Sequence, residues 1–220
     1  MPVPSPSTDR TAASLSALTT MLLVLSVGLV VGGFALPGAA DRPSYRSMAA
    51  AVPVRLVVPS LRIDAPVVPV SLSSDAVLDP PRDPEQVGWW NNSAPAGADQ
   101  GQTVITGHTV HTGGGAMDRI GQVRRGAFVD VVTRHGTMRY RVDRVRVIGK
   151  DRLARTAGKL FGQRHGDGRL VLVTCTGWNG SYYPSNVVVS GHPLGVPTHP
   201  HRHHHARQQR VEAAAAHRHR

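Results

Sequence analysis

The chain has 220 residues, 40% of them hydrophobic and 5% aromatic, a formal charge of +11 and a single cysteine. One cysteine cannot close an internal disulfide, so a disulfide-stapled scaffold is excluded, and 23 glycines with 17 prolines argue for short strands and turns rather than helices. The charge does not mark a nucleic-acid binder: only two of the 25 basic residues are lysines, and the arginines lie along predicted strands without interleaved aromatics.

Residues 1–14 precede "LSALTTMLLVLSVGLVVGGFA", Leu15 to Ala35, an uncharged run of the length that crosses a bilayer core. It reads as a membrane anchor over 15–36 or as a signal segment. A run longer than the roughly 7 to 15 residues of a cleaved signal's core favours a retained anchor. Counting Arg10 against Arg42 and Arg46 would, alone, leave the C-terminal flank inside. Residues 37–53 are small and polar with flanking prolines and read as a linker.

Residues 54–196 read as one folded domain, and its predicted elements begin with "VRLVVPSLRIDAPVVPV", Val54 to Val70. Prolines this frequent exclude a central helix and suit edge strands and tight turns. "TVITGH" from Thr103 is a strand ending in a turn, and "GAFVDVVT" from Gly126 is another. "TMRYRVDRVRV" from Thr137 places Met138, Tyr140 and Val142 on one face. The apolar phase then slips to Val145 and Val147, which predicts a bulge near Asp143 and Arg144.

"RLVLVT" from Arg169 is an apolar interior strand and "NVVVSG" from Asn186 its expected neighbour. Helix is confined to short pieces around 117–123 and 153–160. About seven short strands with few helices predict a mainly β domain, a closed barrel or a sandwich. Residues 197–220 hold seven of the twelve histidines. They have too little apolar surface to fold alone, so a solvated, disordered basic tail is expected; metal capture by the His-rich tract is the alternative.

Cys175 ends the apolar run and is followed by the turn-rich "TGWNG". Its thiol has three readings: a buried structural group, an intermolecular partner or a reactive nucleophile. Burial is the common fate of free cysteine. A strand end leading into a loop instead presents a side chain at a rim, where function concentrates. A nucleophilic thiol needs a group that favours its thiolate, most simply a histidine within reach. His108, in "VITGHTV", also stands at a strand end. His111 lies in the same loop, His135 and His165 sit beside glycines in turns, and His192 precedes Pro193, so these are weaker candidates.

"VITGHTV", then "LVLVTCTGW" with its cysteine 67 residues after His108, then "NVVVSG", resembles the sortase family of bacterial cysteine transpeptidases. The pieces "LRIDAPVVPV" and "DPEQVGWWNNSAPAGADQGQTVITGH" are similar to the actinobacterial class E or class F branch. The resemblance runs from about Val54 to Leu194. It implies a closed, mostly antiparallel eight-stranded barrel with short helices, held at the outer face of the cell membrane by a single N-terminal segment. That topology overrides the charge count.

The implied reaction is thioester transpeptidation. The Cys175 thiolate attacks the Thr carbonyl of a C-terminal sorting signal similar to Leu-Pro-any-Thr-Gly on a secreted protein. His108 protonates the leaving amine and then activates an acceptor amine, from a cell-wall precursor or a protein lysine. No cofactor and no metal are expected, since the acidic residues are scattered. A cysteine peptidase releasing free acid and a catalytically silent, membrane-tethered binding module are the competing classes.

One departure from the family stands out. Sortases of this branch carry an Arg in "YRDNVVV", where it stabilises the oxyanion or positions the signal. The matching stretch here is "YPSNVVV", with Pro184 at the Arg position and no Arg between Cys175 and Leu194. Neutral donors that replace it are sought in Asn186, Tyr183 and Asn179, with Trp178 nearby; Arg139 or Arg141 from a neighbouring strand is the charged alternative. Trp89 and Trp90 read as cover for one barrel end. Gly113 to Gly115 read as a flexible loop without the strand and helix context of a phosphate loop. "LDPPRDPEQ" is similar to a lid segment of pilus-building sortases but lies close to the early strands.

Overall fold

A computed structural model describes residues 44–164 and 167–198. The expected anchor over 15–36, the segment before it and residues 199–220 of the expected tail lie outside the described residues. No helix among the described residues is long and apolar enough to cross a membrane.

The strands are β1 (Ser44–Arg46), β2 (Pro53–Val58), β3 (Ile63–Val70), β4 (Val87–Trp90), β5 (Gly101–Gly107), β6 (Phe128–Thr133), β7 (Gly136–Gly149), β8 (Asp167–Thr176) and β9 (Ser185–Thr198). One helix, α1 (Lys150–Leu160), links β7 to β8. The order β9-β7-β6-β2-β3-β4-β5-β8 closes through the β8–β9 pair into an eight-stranded barrel, and β1 adds to the outside of β9. Closure removes the open sheet edges that invite association. The pairs β3–β4 and β5–β8 are parallel; the others are antiparallel.

The proline-rich run occupies β2 and β3, both inside the barrel order rather than at an edge. β3 pairs with β2 up to Pro66 and with β4 from Val67 onward. Each half of β3 is therefore bonded on one side only, which accommodates prolines that lack a donor. The β7 bulge falls where the apolar phase slips, between Val142 and Arg144. Met138, Tyr140 and Val142 point into the barrel.

The middle of β8, Leu170–Val173, is apolar throughout because both of its faces are covered. Leu170 and Leu172 join the barrel interior, while Val171 and Val173 join a second cluster with Val104, Ile148 and Val188. That outer cluster is roofed by Leu153 and Leu160 of α1, with Phe161, Leu78 and Trp90. Asp151 in the first turn of α1 and Lys159 in its last complement the helix dipole.

Three details differ from the sequence reading. The helix expected around 117–123 is only a 3-10 turn, Ile120–Gln122, in which Gly121 lies close against Val187 of β9. Part of the 37–53 stretch packs on the barrel: β1 pairs with the end of β9, Met48 is buried, and Ala51 bridges to Ala96. Finally, the two tryptophans part company. Trp89 enters the interior core, whereas Trp90 packs in the outer cluster.

Candidate active site

Two parallel strands bring the cysteine and the histidine to one place. β5 and β8 run side by side in the register Ile105↔Leu172 and Thr106↔Val173. Carrying that register two residues on sets His108 beside Cys175. Side chains alternate along a strand, so His108 follows Val104 and Thr106 on the outward face, and Cys175 follows Val171 and Val173 on the same face. On the other flank β9 pairs Cys175 with Asn186. His108, just past the end of β5, is thus directed to the same side of β8 as Cys175, whose other neighbour across the β8–β9 pair is Asn186.

The ends of β5 and β8 are locked together from the inside. The Thr174 hydroxyl, 3% exposed, donates to the Gly107 carbonyl at 2.8 Å and lies 2.8 Å from the Thr109 hydroxyl. Its one proton is spent on Gly107, so Thr109 donates in the second bond. The residue before the cysteine is tied in this way to residues on both sides of the histidine.

His108 is oriented by a backbone group. Its Nε2 stands 2.7 Å from the carbonyl oxygen of buried Pro81. A carbonyl only accepts, so Nε2 carries the proton and Nδ1 is the nitrogen left for chemistry. The segment before β4 therefore braces the histidine. Its Pro84 carbonyl also accepts from the Ala116 amide at 2.8 Å.

The loop after His108 is less free than its glycines suggest. The Asp118 carboxylate accepts from the amides of Val110 at 2.7 Å and Gly115 at 3.0 Å. A Cβ on Gly115 would meet that carboxylate at 2.4 Å and the His108 carbonyl at 2.7 Å, so only glycine fits there. Gly113 and Gly114, with φ of 90° and 97°, supply the left-handed turn.

The candidate neutral donors lie in the loop after Cys175 and at the start of β9. Asn186 Nδ2 lies 3.3 Å from the Thr174 carbonyl and 3.9 Å from the Cys175 sulfur. The Tyr183 hydroxyl is shielded from solvent beside the His111 backbone. Burial, with the charges of Asp118 and Cys175, pushes its pKa above the ordinary tyrosine value, against a smaller opposing effect of that backbone. The phenol is therefore a protonated donor at neutral pH.

Asn179 has a different position. Its side-chain oxygen accepts from the amides of Ser181 and Tyr182, each at 3.0 Å, shaping the turn from an exposed place. Pro184, where the family Arg was expected, packs near Gly177 and accepts the Lys150 amide at 3.0 Å.

The charged alternatives lie far off. Arg139 and Arg141 pair with Gly195 and His192 of β9. Along that strand those partners are nine and six residues from Asn186, on the order of 30 and 20 Å. Arg139 is also engaged by Asp130 through two bonds of 2.7 Å. The stretch between Cys175 and Leu194 contains no Arg, so neither β9 nor these β7 residues brings a guanidinium to the thiol.

Sequence reasoning missed four participants: Thr109, Thr174, Asp118 and Pro81. Thr174 carried a signal, as a polar residue ending an apolar run. The Pro81 contact is made by a backbone oxygen and leaves no trace in residue type.

The sortase domain model matches residues 56–194, more than half of the chain. No curated protein matches it. Among solved structures, sortase C-1 from Actinomyces oris is similar with 23% identity and a TM-score of 0.51, covering 66% of this chain and 73% of that one. Sortase A from Corynebacterium diphtheriae is 19% identical with a TM-score of 0.52, covering 69% of this chain and 64% of that one. Sortase C from Streptococcus pneumoniae is 15% identical with a TM-score of 0.52, covering 66% and 68%. At these identities the likeness is one of fold.

Proposed function

The chain belongs to the sortase family of cysteine transpeptidases, and on that premise we propose that Cys175 is its nucleophile and His108 its general acid and base. The observation that carries this assignment is the shared level and shared outward face of the two residues at the ends of the parallel pair β5–β8. A thiolate gains from a neighbouring imidazolium, and the Pro81 carbonyl leaves Nδ1 of His108 as the nitrogen that moves the proton.

The substrate is a secreted protein with a C-terminal signal similar to Leu-Pro-any-Thr-Gly. The Cys175 sulfur bonds to the Thr carbonyl carbon, the Thr–Gly amide breaks, and Nδ1–H of His108 delivers its proton to the departing amine. The thioester then meets an amine acceptor, a cell-wall precursor or a protein lysine. His108 takes that amine's proton, a new amide forms and the thiolate leaves. One amide replaces another, so no external energy source is required.

Asn186 stands in for the family Arg. With one amide N–H turned to the Thr174 carbonyl and the nitrogen 3.9 Å from the sulfur, it is placed to donate to an oxyanion formed at that sulfur. Tyr183, whose hydroxyl feels the charge of Cys175, is a second donor. The segment over 15–36 serves as the single membrane anchor, with the barrel outside the cell.

The test is turnover of a Leu-Pro-any-Thr-Gly peptide with an added primary amine. Cys175→Ala and His108→Ala each abolish turnover on this reading, and an amide product distinguishes transfer from hydrolysis. Parent-like cleavage by either variant overturns the assignment.

A further inference from the structure

The two loops that follow the candidate catalytic pair touch each other through a ring stack that the reaction as described does not use. His111, three residues beyond His108, lies flat on the indole of Trp178, three residues beyond Cys175: the ring centroids are 4.2 Å apart and the planes differ by 9°. Trp178 in turn meets Tyr183 at 5.1 Å with the rings tilted by 54°. The Tyr183 hydroxyl closes the circuit by lying beside the His111 backbone.

Neither ring of the stack is buried by the core. His111 is exposed and Trp178 is 38% exposed. Their contact is thus a bridge between loops and not a piece of the barrel's packing. Each loop is firmly anchored at its base, by Asp118 on one side and by Asn179 within the other. The stack and Tyr183 join the two loops, since an aromatic pair prefers parallel or tilted contact over open solvent, and the Tyr183 hydroxyl lies near enough to Cys175 to feel its charge.

We propose that His111 is a positioning residue for acyl transfer: stacked on Trp178, it clasps the loop after Cys175 to the loop after His108 and so holds the Tyr183 hydroxyl beside the reacting sulfur. The proposal rests on Cys175 being the nucleophile. His111 itself transfers no proton; its flat ring is the feature that matters. Phenylalanine preserves a flat ring there, and alanine does not.

The experiment uses the full chain and two readouts. Because Cys175 is the only cysteine, its alkylation by iodoacetamide reports access to the thiol without any assumption about the sorting signal. Turnover of a Leu-Pro-any-Thr-Gly peptide with a primary amine gives kcat and KM. His111→Ala and Trp178→Ala are expected to open the clasp, raising the alkylation rate about fivefold and lowering kcat about tenfold with KM within about twofold. His111→Phe is expected to return both values to within about twofold of the parent.

Combining His111→Ala with Tyr183→Phe should cost no more than the worse single change, because both act through one hydroxyl. Parent-like alkylation and kcat in His111→Ala overturn the clasp, as does a His111→Phe variant as impaired as the alanine. A Cys175→Ala variant that still turns over peptide overturns the assignment of the nucleophile instead, so the two failures are told apart.

Discussion

Cys175 and Asn186 face each other across the antiparallel pair β8–β9, with the asparagine amide nitrogen 3.9 Å from the sulfur and 3.3 Å from the carbonyl of Thr174. On the reading proposed above, in which Pro184 stands at the family Arg position, Asn186 is the donor that replaces the guanidinium. Removing one oxyanion donor costs on the order of 100- to 1000-fold in kcat. Asn186→Ala is therefore expected to lower kcat by about 100-fold with little change in KM. An unchanged steady-state kcat transfers the role to Tyr183.

The Thr174 lock makes a prediction about stability. Thr174→Val preserves shape but strands the Gly107 carbonyl and the Thr109 hydroxyl without their partner. An unsatisfied buried polar group costs about 1–3 kcal/mol. Denaturant unfolding should register a loss in that range. It should be accompanied by a fall in kcat, since the lock aligns the ends of β5 and β8.

Arg139 tests the distance argument. Its bidentate pairing with Asp130 and its position 5.0 Å over the Phe128 ring are structural contacts far along β9 from the site. Arg139→Ala should leave kcat and KM within about twofold of the parent, while lowering stability by about 1 kcal/mol through the lost charge-assisted bonds. A collapse of kcat without a loss of fold would return the missing cation to this strand.

Alkaline stability should track Tyr140. Burial raises its pKa above the ordinary value of 10.0, against smaller lowering by Thr103 and the Gly97 amide. A pKa higher in the folded state means the folded state holds the proton more tightly. The associated stability is complete below about pH 10 and is lost as pH rises through the folded value. Unfolding free energy measured from pH 8 to 11 should fall at the alkaline end, and Tyr140→Phe should flatten that fall. The Tyr183 pKa is raised in the same direction, so its phenol remains a donor across the neutral range.

Much of this arrangement is legible in the chain, for reasons that differ by element. The unbroken apolarity of "LVLV" marks a strand covered on two sides, and the barrel interior and the outer cluster under α1 cover it. The phase slip after Val142 marks the β7 bulge because alternation is strictly local. His108 and Cys175 stand out by type and by their place at strand ends.

What stays hidden depends on non-local pairing. The partnership of β1 with β9 joins Ser44 to Thr198, and three residues carry too little pattern to announce it. The role of Thr174 emerges only once β5 and β8 are neighbours. The stack of His111 on Trp178 joins two loops far apart in sequence. The packing of Gly121 of the 3-10 turn against Val187 of β9 is likewise a contact between residues far apart in sequence.

If Cys175 carries the acyl group, intact-mass spectrometry detects it there during turnover. The full chain is mixed with a Leu-Pro-any-Thr-Gly peptide, quenched in acid within one turnover and weighed, with a primary amine added in a parallel reaction. An adduct equal to the peptide's acyl portion is expected on the parent protein, absent from Cys175→Ala, and lost with amide formation when the amine is present. An adduct that survives Cys175→Ala, or turnover by that variant, would contradict that role of Cys175.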